Sequence, residues 1–438
     1  MRLGASDAAV MLRYEQGFLK IVVISVVFVT CMYYFDFYDS SILRNLSELL
    51  TRLIQVLGTV CVLLAILYYI YPTLGLGRGI FAIGVSLVGI ILLLWRRLFA
   101  AINSQPAFAE RALLLGDGPL AGPLLREIES RPELGLRIMS QFVVPSNGTA
   151  KTKSDPQAEG ERHLTGTDED LFQAVRIHRV NRILVAFGDR RGKLPVEDLL
   201  KLKSRGVRIQ DGTDFYESIT GKLPIESLRL GWLLFSPGFF VSRPFLIYKR
   251  VASVLISIPG LLLSLPLIPF IVLAIKLTSR GPVFYAQKRV GHNGSIFECY
   301  KFRSMRADAE ADSGPTWADD DDPRITVVGR FLRMSRLDEI PQLWNVLKGD
   351  MSLVGPRPER PEFVEKLNRE ILHYQLRHIV RPGITGWAQI RFRYGSSVED
   401  SKEKLRYDLF YIKNMSPGLD FLIFFQTIKI ILLGRGAQ

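Results

Sequence analysis

Two adjacent carboxylates, Asp338 and Glu339, stand in the run Ser335-Arg336-Leu337-Asp338-Glu339-Ile340-Pro341-Gln342-Leu343-Trp344. Pro341 suits the first turn of a helix whose apolar face would be Leu343, Trp344 and Leu347, so the carboxylates fall at a helix N-terminus. Adjacent side chains project in different directions; one carboxylate can therefore face a phosphorus atom while the other holds a divalent metal. Aspartate can attack phosphorus when cations and a metal offset the phosphate charge. Lys301, Arg303, Arg324 and Arg333 lie upstream, and Gly355-Pro356-Arg357-Pro358 lies downstream, supplying cations and backbone turns suited to a diphosphate. A plainer reading also exists, with Ser335 and Asp338 as a capping box and the arginines in surface ion pairs.

These residues need elements to position them, and the chain is unusual in where it keeps its apolar residues. Hydrophobic residues make up 48% of the 438 and are gathered in blocks, which points to membrane segments. Phe18 to Tyr34, Leu53 to Tyr71 and Ile80 to Trp95 each approach the roughly 20 residues a bilayer requires. The Trp95-Arg96-Arg97 end predicts that the chain after Arg96 is cytoplasmic, although Arg2, Arg13 and Lys20 leave the topology of the first segment open. A fourth run, from Lys249-Arg250 to Lys276, is interrupted at Pro259-Gly260, Pro266 and Pro269 and flanked by cations at both ends. This pattern predicts a helix that turns back on the face it entered.

Between these membrane segments, Arg111 to about Leu230 has the composition of a soluble α/β domain, with strand-like Ala112 to Leu115 and Arg182 to Ala186. Ser146 to Gly166 is polar and is expected to be a loop. Gly116-Asp117-Gly118-Pro119-Leu120-Ala121 has the GxGxxA spacing of a dinucleotide-binding turn, altered by Pro119, so a bound nucleotide and a purely structural use both remain open. Cys31, Cys61 and Cys299 form no disulfide or zinc pattern. The net charge of +13 calls for anionic surroundings, but the cations flank apolar segments and no nucleic-acid recognition module is visible. His292, His373 and His378 lack metal spacing, and Arg391, Arg393 and Tyr394 could meet a lipid phosphate. Leu419 to Leu433 is expected to lie on the membrane surface or against the broken helix.

As a set, the residues resemble the bacterial sugar transferases, the monotopic polyprenyl-phosphate phosphoglycosyl transferases. The likeness runs from about Lys249 to the C-terminus through Gly281-Pro282-Val283-Phe284, Gln287 to Gly291, Lys301 to Met305, Arg324-Ile325-Thr326, the Asp338-Glu339 pair, Asn345 to Pro358, and Arg381 to Gln389. The upstream part is similar to the large exopolysaccharide subgroup, and Lys404 to Gly434 to the tail of its exosortase-associated members. The resemblance implies a membrane protein of mixed class: transmembrane helices in 1-100, a Rossmann-like α/β cytosolic domain in 101-235, and an α-rich catalytic domain with a re-entrant helix in 236-438. It further implies that Asp338 attacks a UDP-sugar, that UMP leaves, and that undecaprenyl phosphate collects the hexose-1-phosphate, glucose or galactose first. Glu339 would bind Mg²⁺. Lys301, Arg303, Arg324, Arg333, the Gly355, Pro356, Arg357, Pro358 loop and Gln389 would hold substrate, and Pro266 would break the re-entrant helix. The expected setting is the bacterial inner membrane, with the catalytic domain on the cytoplasmic face, no nucleic-acid partner, and a homodimer through the upstream domain. Ser253 and Arg336 depart from the residues common at those places, and Leu265 takes the place of the serine before the helix-breaking proline. The rival reading is a non-catalytic membrane scaffold or regulator of polysaccharide export.

Overall fold

The three N-terminal apolar runs form helices α1 (Gly17–Tyr34), α2 (Leu46–Ile70) and α3 (Arg78–Asn103). Val56, Val60 and Leu64, spaced by one helical turn on α2, are fully buried against α1 residues such as Phe28 and Cys31. Other apolar side chains, Ile54, Ile66, Ile83 and Ile90 among them, face outward, as hydrocarbon surroundings require. All three helices are long and apolar enough to cross a membrane. The turn after α1 is latched from both neighbours: Arg52 donates to the Phe35 carbonyl at 2.9 Å, and Arg96 donates to the Phe37 carbonyl. The end of α1, the start of α2 and the end of α3 thus share one level.

The computed structural model describes residues 17–38, 46–74, 78–103, 109–143, 163–165, 168–188, 194–227, 238–239, 242–306, 309, 322–392, 395 and 397–433. They fall into two compact units, Met1–Asp117 with Ala121–Gln210, and Gly118–Leu120 with Asp211–Gln438. Beyond the helices, the first unit holds a five-stranded sheet of β1 (Glu110–Leu115), β2 (Leu136–Val143), β3 (His163–Thr165), β4 (Arg182–Val185) and β5 (Arg208–Asp211), in the order β3-β2-β1-β4-β5. The β1 pairings with β2 and β4, and that of β2 with β3, are parallel, and helices α4 (Ala121–Ser130), α5 (Asp168–Ile177) and α6 (Val196–Ser204) alternate with the strands. This is the doubly wound order expected of a Rossmann-like domain. Gly116, directly after β1, has φ of +115°, and a Cβ there would sit 3.0 Å from the Ala186 backbone and the Phe187 ring. The loop expected over Ser146 to Gly166 lies outside the described residues except for 163–165, which pair with β2 as a strand instead.

The second unit begins earlier than the composition indicated. Helix α7 (Gly212–Thr220) is capped by Asp211, whose Oδ1 accepts the Thr213 amide at 2.7 Å. Leu223 and Ile225 after it are buried in the second unit's core, and the Gly221 carbonyl accepts the Trp387 indole at 2.9 Å. Residues 211–227 are therefore held by that core, within the second unit.

The broken apolar run forms α8 (Arg243–Ser264) and α9 (Ile268–Thr278), joined by the turn Leu265-Pro266-Leu267. Of the prolines, Pro259 lies inside α8 without ending it and Pro269 occupies the first turn of α9, so the break belongs to Pro266. Both open ends are fastened to the same unit. At entry, Lys249 is buried and bonds Tyr411 and Asp420, the latter at 2.8 Å, while Arg250 donates to the Val346 and Leu347 carbonyls. At exit, Arg303 Nη2 donates to the carbonyl and hydroxyl of Ser279, both at 2.8 Å. The element is re-entrant, although α8 alone has the length and hydropathy of a span.

Around this hairpin stand the antiparallel pair β6 (Phe284–Val290) and β7 (Ile296–Phe302), helix α10 (Val327–Met334), helix α11 (Gln342–Lys348), and the parallel pair β8 (Ser352–Val354) and β9 (Gly383–Thr385). Helices α12 (Pro361–Glu370), α13 (Trp387–Arg391), α14 (Val398–Lys413) and α15 (Pro417–Leu433) complete the unit. The apolar tail helix α15 buries Ile423 completely and joins β9 through Thr427 and Thr385 hydroxyls 2.6 Å apart. Thr326 caps α10 and accepts the Gly329 amide at 2.9 Å, while a Cβ on Gly329 would meet the Ser304 carbonyl oxygen at 1.8 Å. Overpacking of this kind costs about 1–3 kcal/mol. Gly329→Ala is expected to lower the unfolding temperature of the lipid-embedded protein by several degrees, whereas Gly418→Ala, with nothing within 4 Å of its Cβ, should leave it unchanged or raise it. Thermal unfolding of the two variants side by side checks this.

Candidate active site

Helix α10 ends at Met334, and the chain then turns through Arg336, which takes the left-handed φ of 54°. A non-glycine residue there stores strain of about 1 kcal/mol or more. The turn delivers Asp338 and Glu339 on the short 3-10 segment Leu337–Glu339, each with 7% of its surface exposed. The capping box does not form: the Ser335 hydroxyl donates back to the Phe331 carbonyl at 2.8 Å. Pro341 stands directly before α11, one place ahead of the first turn expected for it, and the helix buries Gln342, Asn345 and Val346 while Trp344 is 58% exposed. The polar residue is inside because it staples the helix to β7. Asn345 donates to the Glu298 carbonyl at 2.7 Å and accepts the Tyr300 amide at 3.0 Å.

Glu339 is surrounded by positive charge from three segments. Arg357 Nη2 lies 2.7 Å from its Oε1, Lys301 Nζ 3.7 Å from the same oxygen, and Arg336 Nη1 3.7 Å from Oε2. Burial alone would push its carboxyl up, but Arg357, Lys301 and Arg336 more than reverse that and hold it well below the ordinary range, at about 2. Asp338 moves the other way. Burial raises it above the ordinary aspartate value, and the neighbouring Glu339 charge adds to the rise, against the pull of Lys301, Arg357 and Arg333. Two adjacent carboxylates therefore differ in kind: one is locked as an anion, and the other is a more basic anion that takes its proton sooner.

The Gly355 to Pro358 loop is held by the later Arg381 to Gln389 segment. Ser352 donates to the Pro382 carbonyl and Gly355 to the Thr385 carbonyl, both at 2.8 Å, and Gly383 donates to the Pro356 carbonyl at 2.9 Å. A Cβ on Gly383 would sit 2.1 Å from the Gly355 nitrogen, so the backbones themselves are in contact. Gln389 donates to the Ile384 carbonyl at 3.3 Å and its Oε1 is buried without a partner among the described residues. It braces this crossing from within the Arg381 to Gln389 segment.

Lys301 and Arg357 thus meet Glu339 directly, and Arg333 acts on Asp338 with a buried Nη1 that has no partner among the described residues. Arg303 is 6% exposed and fixes Ser279. Arg324 forks onto Asp322 through Nε at 2.8 Å, a partner two residues away that the motif pattern did not flag. Arg336, three residues before Glu339, is a counter-charge that helical spacing could have indicated. Arg391 stacks 4.5 Å from the Trp387 ring centre, while Arg393 and Tyr394 lie outside the described residues. Burial and Arg377 push His378 down to about 4, a neutral packing residue. Among the described residues no group of three or more His, Cys, Asp or Glu side chains could hold a metal. A divalent ion here would have the Glu339 carboxylate plus substrate oxygens, hard oxygen donors of the kind that suit Mg²⁺.

The family model described as bacterial sugar transferase matches residues 245–434, and one described as a CoA-binding domain matches residues 33–201. The chain is 46% identical to the UDP-N-acetylgalactosamine-undecaprenyl-phosphate N-acetylgalactosaminephosphotransferase of Aeromonas hydrophila, over 51% of this chain and 52% of that one. It is 34% identical to the undecaprenyl-phosphate glucose phosphotransferase of Komagataeibacter xylinus, over 75% and 60%. To the UDP-glucose:undecaprenyl-phosphate glucose-1-phosphate transferase of Escherichia coli (strain K12) it is 44% identical, over 73% and 68%. The matched stretch thus spans about half to two thirds of the length of these relatives.

The opposed shifts of the dyad carry opposite consequences for stability. A carboxyl whose folded pKa is raised contributes stability in acid and loses it as pH climbs through that pKa, so ionised Asp338 is a burden at neutral pH. Glu339, held low, contributes stability that is present at neutral pH and lost only in strong acid. Asp338→Asn is expected to hold or raise the unfolding temperature at pH 7.5, and Glu339→Gln to cost about 3–5 kcal/mol by stranding its cations. Thermal unfolding of both variants at that pH measures the difference.

Proposed function

The chain belongs to the bacterial sugar transferase family, and from that premise we propose that it transfers a hexose-1-phosphate from a UDP-sugar to undecaprenyl phosphate, the initiating step of an exopolysaccharide or related glycan. The observation that carries this reading is a pair of adjacent buried carboxylates, Asp338 and Glu339, with Arg357 at 2.7 Å and Lys301 and Arg336 at 3.7 Å from Glu339. An Asp338 oxygen attacks the β-phosphorus of the donor, the bond to the bridging oxygen breaks, and UMP leaves with the electron pair. The phosphosugar is then carried on Asp338 until a phosphate oxygen of undecaprenyl phosphate attacks the same phosphorus and returns the carboxylate. A raised pKa makes the ionised Asp338 a better nucleophile, and Lys301, Arg333 and Arg357 offset the repulsion between it and the diphosphate. Mg²⁺ held by Glu339 would neutralise charge on the donor diphosphate. As donor phosphate fills the site, Arg357 and Lys301 can shift from Glu339 to its oxygens.

Arg324 is proposed to hold Asp322 in place, and Arg303 to anchor the end of α9. The donor is placed among the UDP-hexoses, glucose first, with galactose and N-acetylgalactosamine as the alternatives. The end of the first unit that carries Arg52, Arg96 and Arg97 is assigned to the cytoplasm by the positive-inside rule, and the bacterial inner membrane is the proposed setting. A non-catalytic scaffold would have no use for a buried Asp338 whose ionised form costs stability.

UMP release from a panel of UDP-sugars by lipid-embedded protein, with Mg²⁺ and undecaprenyl phosphate, is the test. One donor should yield UMP, and Asp338→Asn should cut the rate by ~10³-fold or more. Inert wild type across the panel would favour the scaffold. Because attack needs Asp338 ionised and its pKa is raised, kcat/KM should fall toward acid on a limb that lies above the ordinary aspartate value of 3.8.

A further inference from the structure

Arg357 sits between two prolines, and the three carbonyls of Pro356, Arg357 and Pro358 are each held by a separate donor. The Gly383 amide takes Pro356 at 2.9 Å, Arg289 Nη1 takes Pro358 at 3.0 Å, and Arg377 Nη2 takes Arg357 at 2.9 Å. Arg377 is 5% exposed and is fixed in turn: Nη1 donates to the Tyr374 hydroxyl at 2.6 Å, and Nη2 lies 2.8 Å from Asp408 Oδ2 on α14. Asp408 and Tyr374 are each 2% exposed. A buried arginine and carboxylate are a poor way to gain stability, because apolar side chains of the same volume often do as well or better. What such a pair supplies is direction. Here one arm of the fork ends on the main-chain oxygen of the residue whose own guanidinium holds Glu339 at 2.7 Å.

We propose that Arg377, oriented by Asp408 and Tyr374, is a positioning residue that fixes the Arg357 backbone so that the Arg357 guanidinium is aimed at Glu339 and the donor diphosphate. The partners of Arg377 are Tyr374, Asp408 and the Arg357 carbonyl rather than the dyad, so it acts through Arg357. The inference rests on the proposed transfer reaction, since Arg357 must serve the site for its placement to matter. Supporting residues behind a ligand or catalytic group typically change activity by 10–100-fold when removed.

The experiment measures UMP release by full-length, lipid-embedded protein carrying Arg377→Gln or Tyr374→Phe, each alone and combined with Arg357→Ala. Arg377→Gln is expected to lower kcat by about 10–100-fold, with KM for the UDP-sugar changed less than about threefold. Tyr374→Phe conserves volume and should fold, and it should lower kcat in the same direction by about two- to fivefold as the fork loses one of its anchors. Both losses should vanish in the Arg357→Ala background, because the residue they act through is gone. Losses that simply multiply in that background, or wild-type kcat in either folded variant, would overturn the proposal. If Arg377→Gln does not fold, the Tyr374→Phe cycle decides alone. The wild type separates the two readings: no UMP release from any donor sinks the transfer reaction itself, whereas an active wild type with an unaffected Tyr374→Phe sinks only the positioning role.

Discussion

The second unit is organised around one buried negative charge. An isolated carboxylate moved out of water would take a proton rather than stay ionised, so Glu339 can be an anion at 7% exposure only because cations are brought to it. Those cations come from separate places in the chain: Lys301 from the end of β7, Arg336 from the strained turn before the dyad, and Arg357 from the loop after β8. Each needs its own scaffold. Asn345 ties β7 to α11, the left-handed turn at Arg336 fixes the dyad's approach, and the glycines at 355 and 383 let two backbones touch so that the Arg357 loop is held. Asp338 inherits its character from this arrangement, because the same burial and the fixed charge of Glu339 raise its basicity.

Much of this was legible in the sequence, and the parts that were not have physical causes. Membrane helices could be read from block hydropathy and the sheet from short apolar strands, because burial and lipid exposure act on composition directly. Composition alone left the break of the re-entrant helix open among three prolines, and only the family resemblance singled out Pro266. Pro259 sits inside a helix and Pro269 in a first turn, and composition does not separate these from the true break at Pro266. The dyad and its cations formed a recognisable set, with Lys301, Arg303, Arg324, Arg333 and Arg357 assigned to substrate and Arg336 noted only as a departure. Arg303 donates to Ser279 through Nη2 and Arg324 forks onto Asp322, partners that spacing does not announce because a guanidinium's reach is three-dimensional. Trp344 was assigned inward by periodicity, but periodicity cannot register that Asn345 satisfies two main-chain groups of β7 and so must be the buried residue. Residues 211–227 were grouped with the upstream domain because their polarity resembles it; their ion pairs, Lys222 with Glu403 and Glu226 with Arg406, are made to a helix some 180 residues later.

The way the broken helix is fastened explains how an apolar hairpin can serve a polar site. Lysine and arginine at the edge of a membrane segment ordinarily keep their charges in water, and Lys249 and Arg250 read that way in sequence. Instead Lys249 is buried on Asp420 and Tyr411, and Arg250 takes the Val346 and Leu347 carbonyls at the end of the helix just after the dyad. The last turn of a helix leaves carbonyls without partners, and a cation there is favoured by the helix dipole as well. The re-entrant helix is thus bolted to α11, and α11 begins three residues after Glu339. On the other arm, Ile271 and Ile275 of α9 share a core with Phe302 and Leu332, with Leu337 and Ile340, on either side of the dyad, packed against it. Both arms of the hairpin therefore set the position of the same two carboxylates. An element that simply crossed the bilayer would have one of its ends on the far side, unable to reach them. Re-entry is what lets a single hairpin enter the apolar phase and brace the dyad from both of its ends.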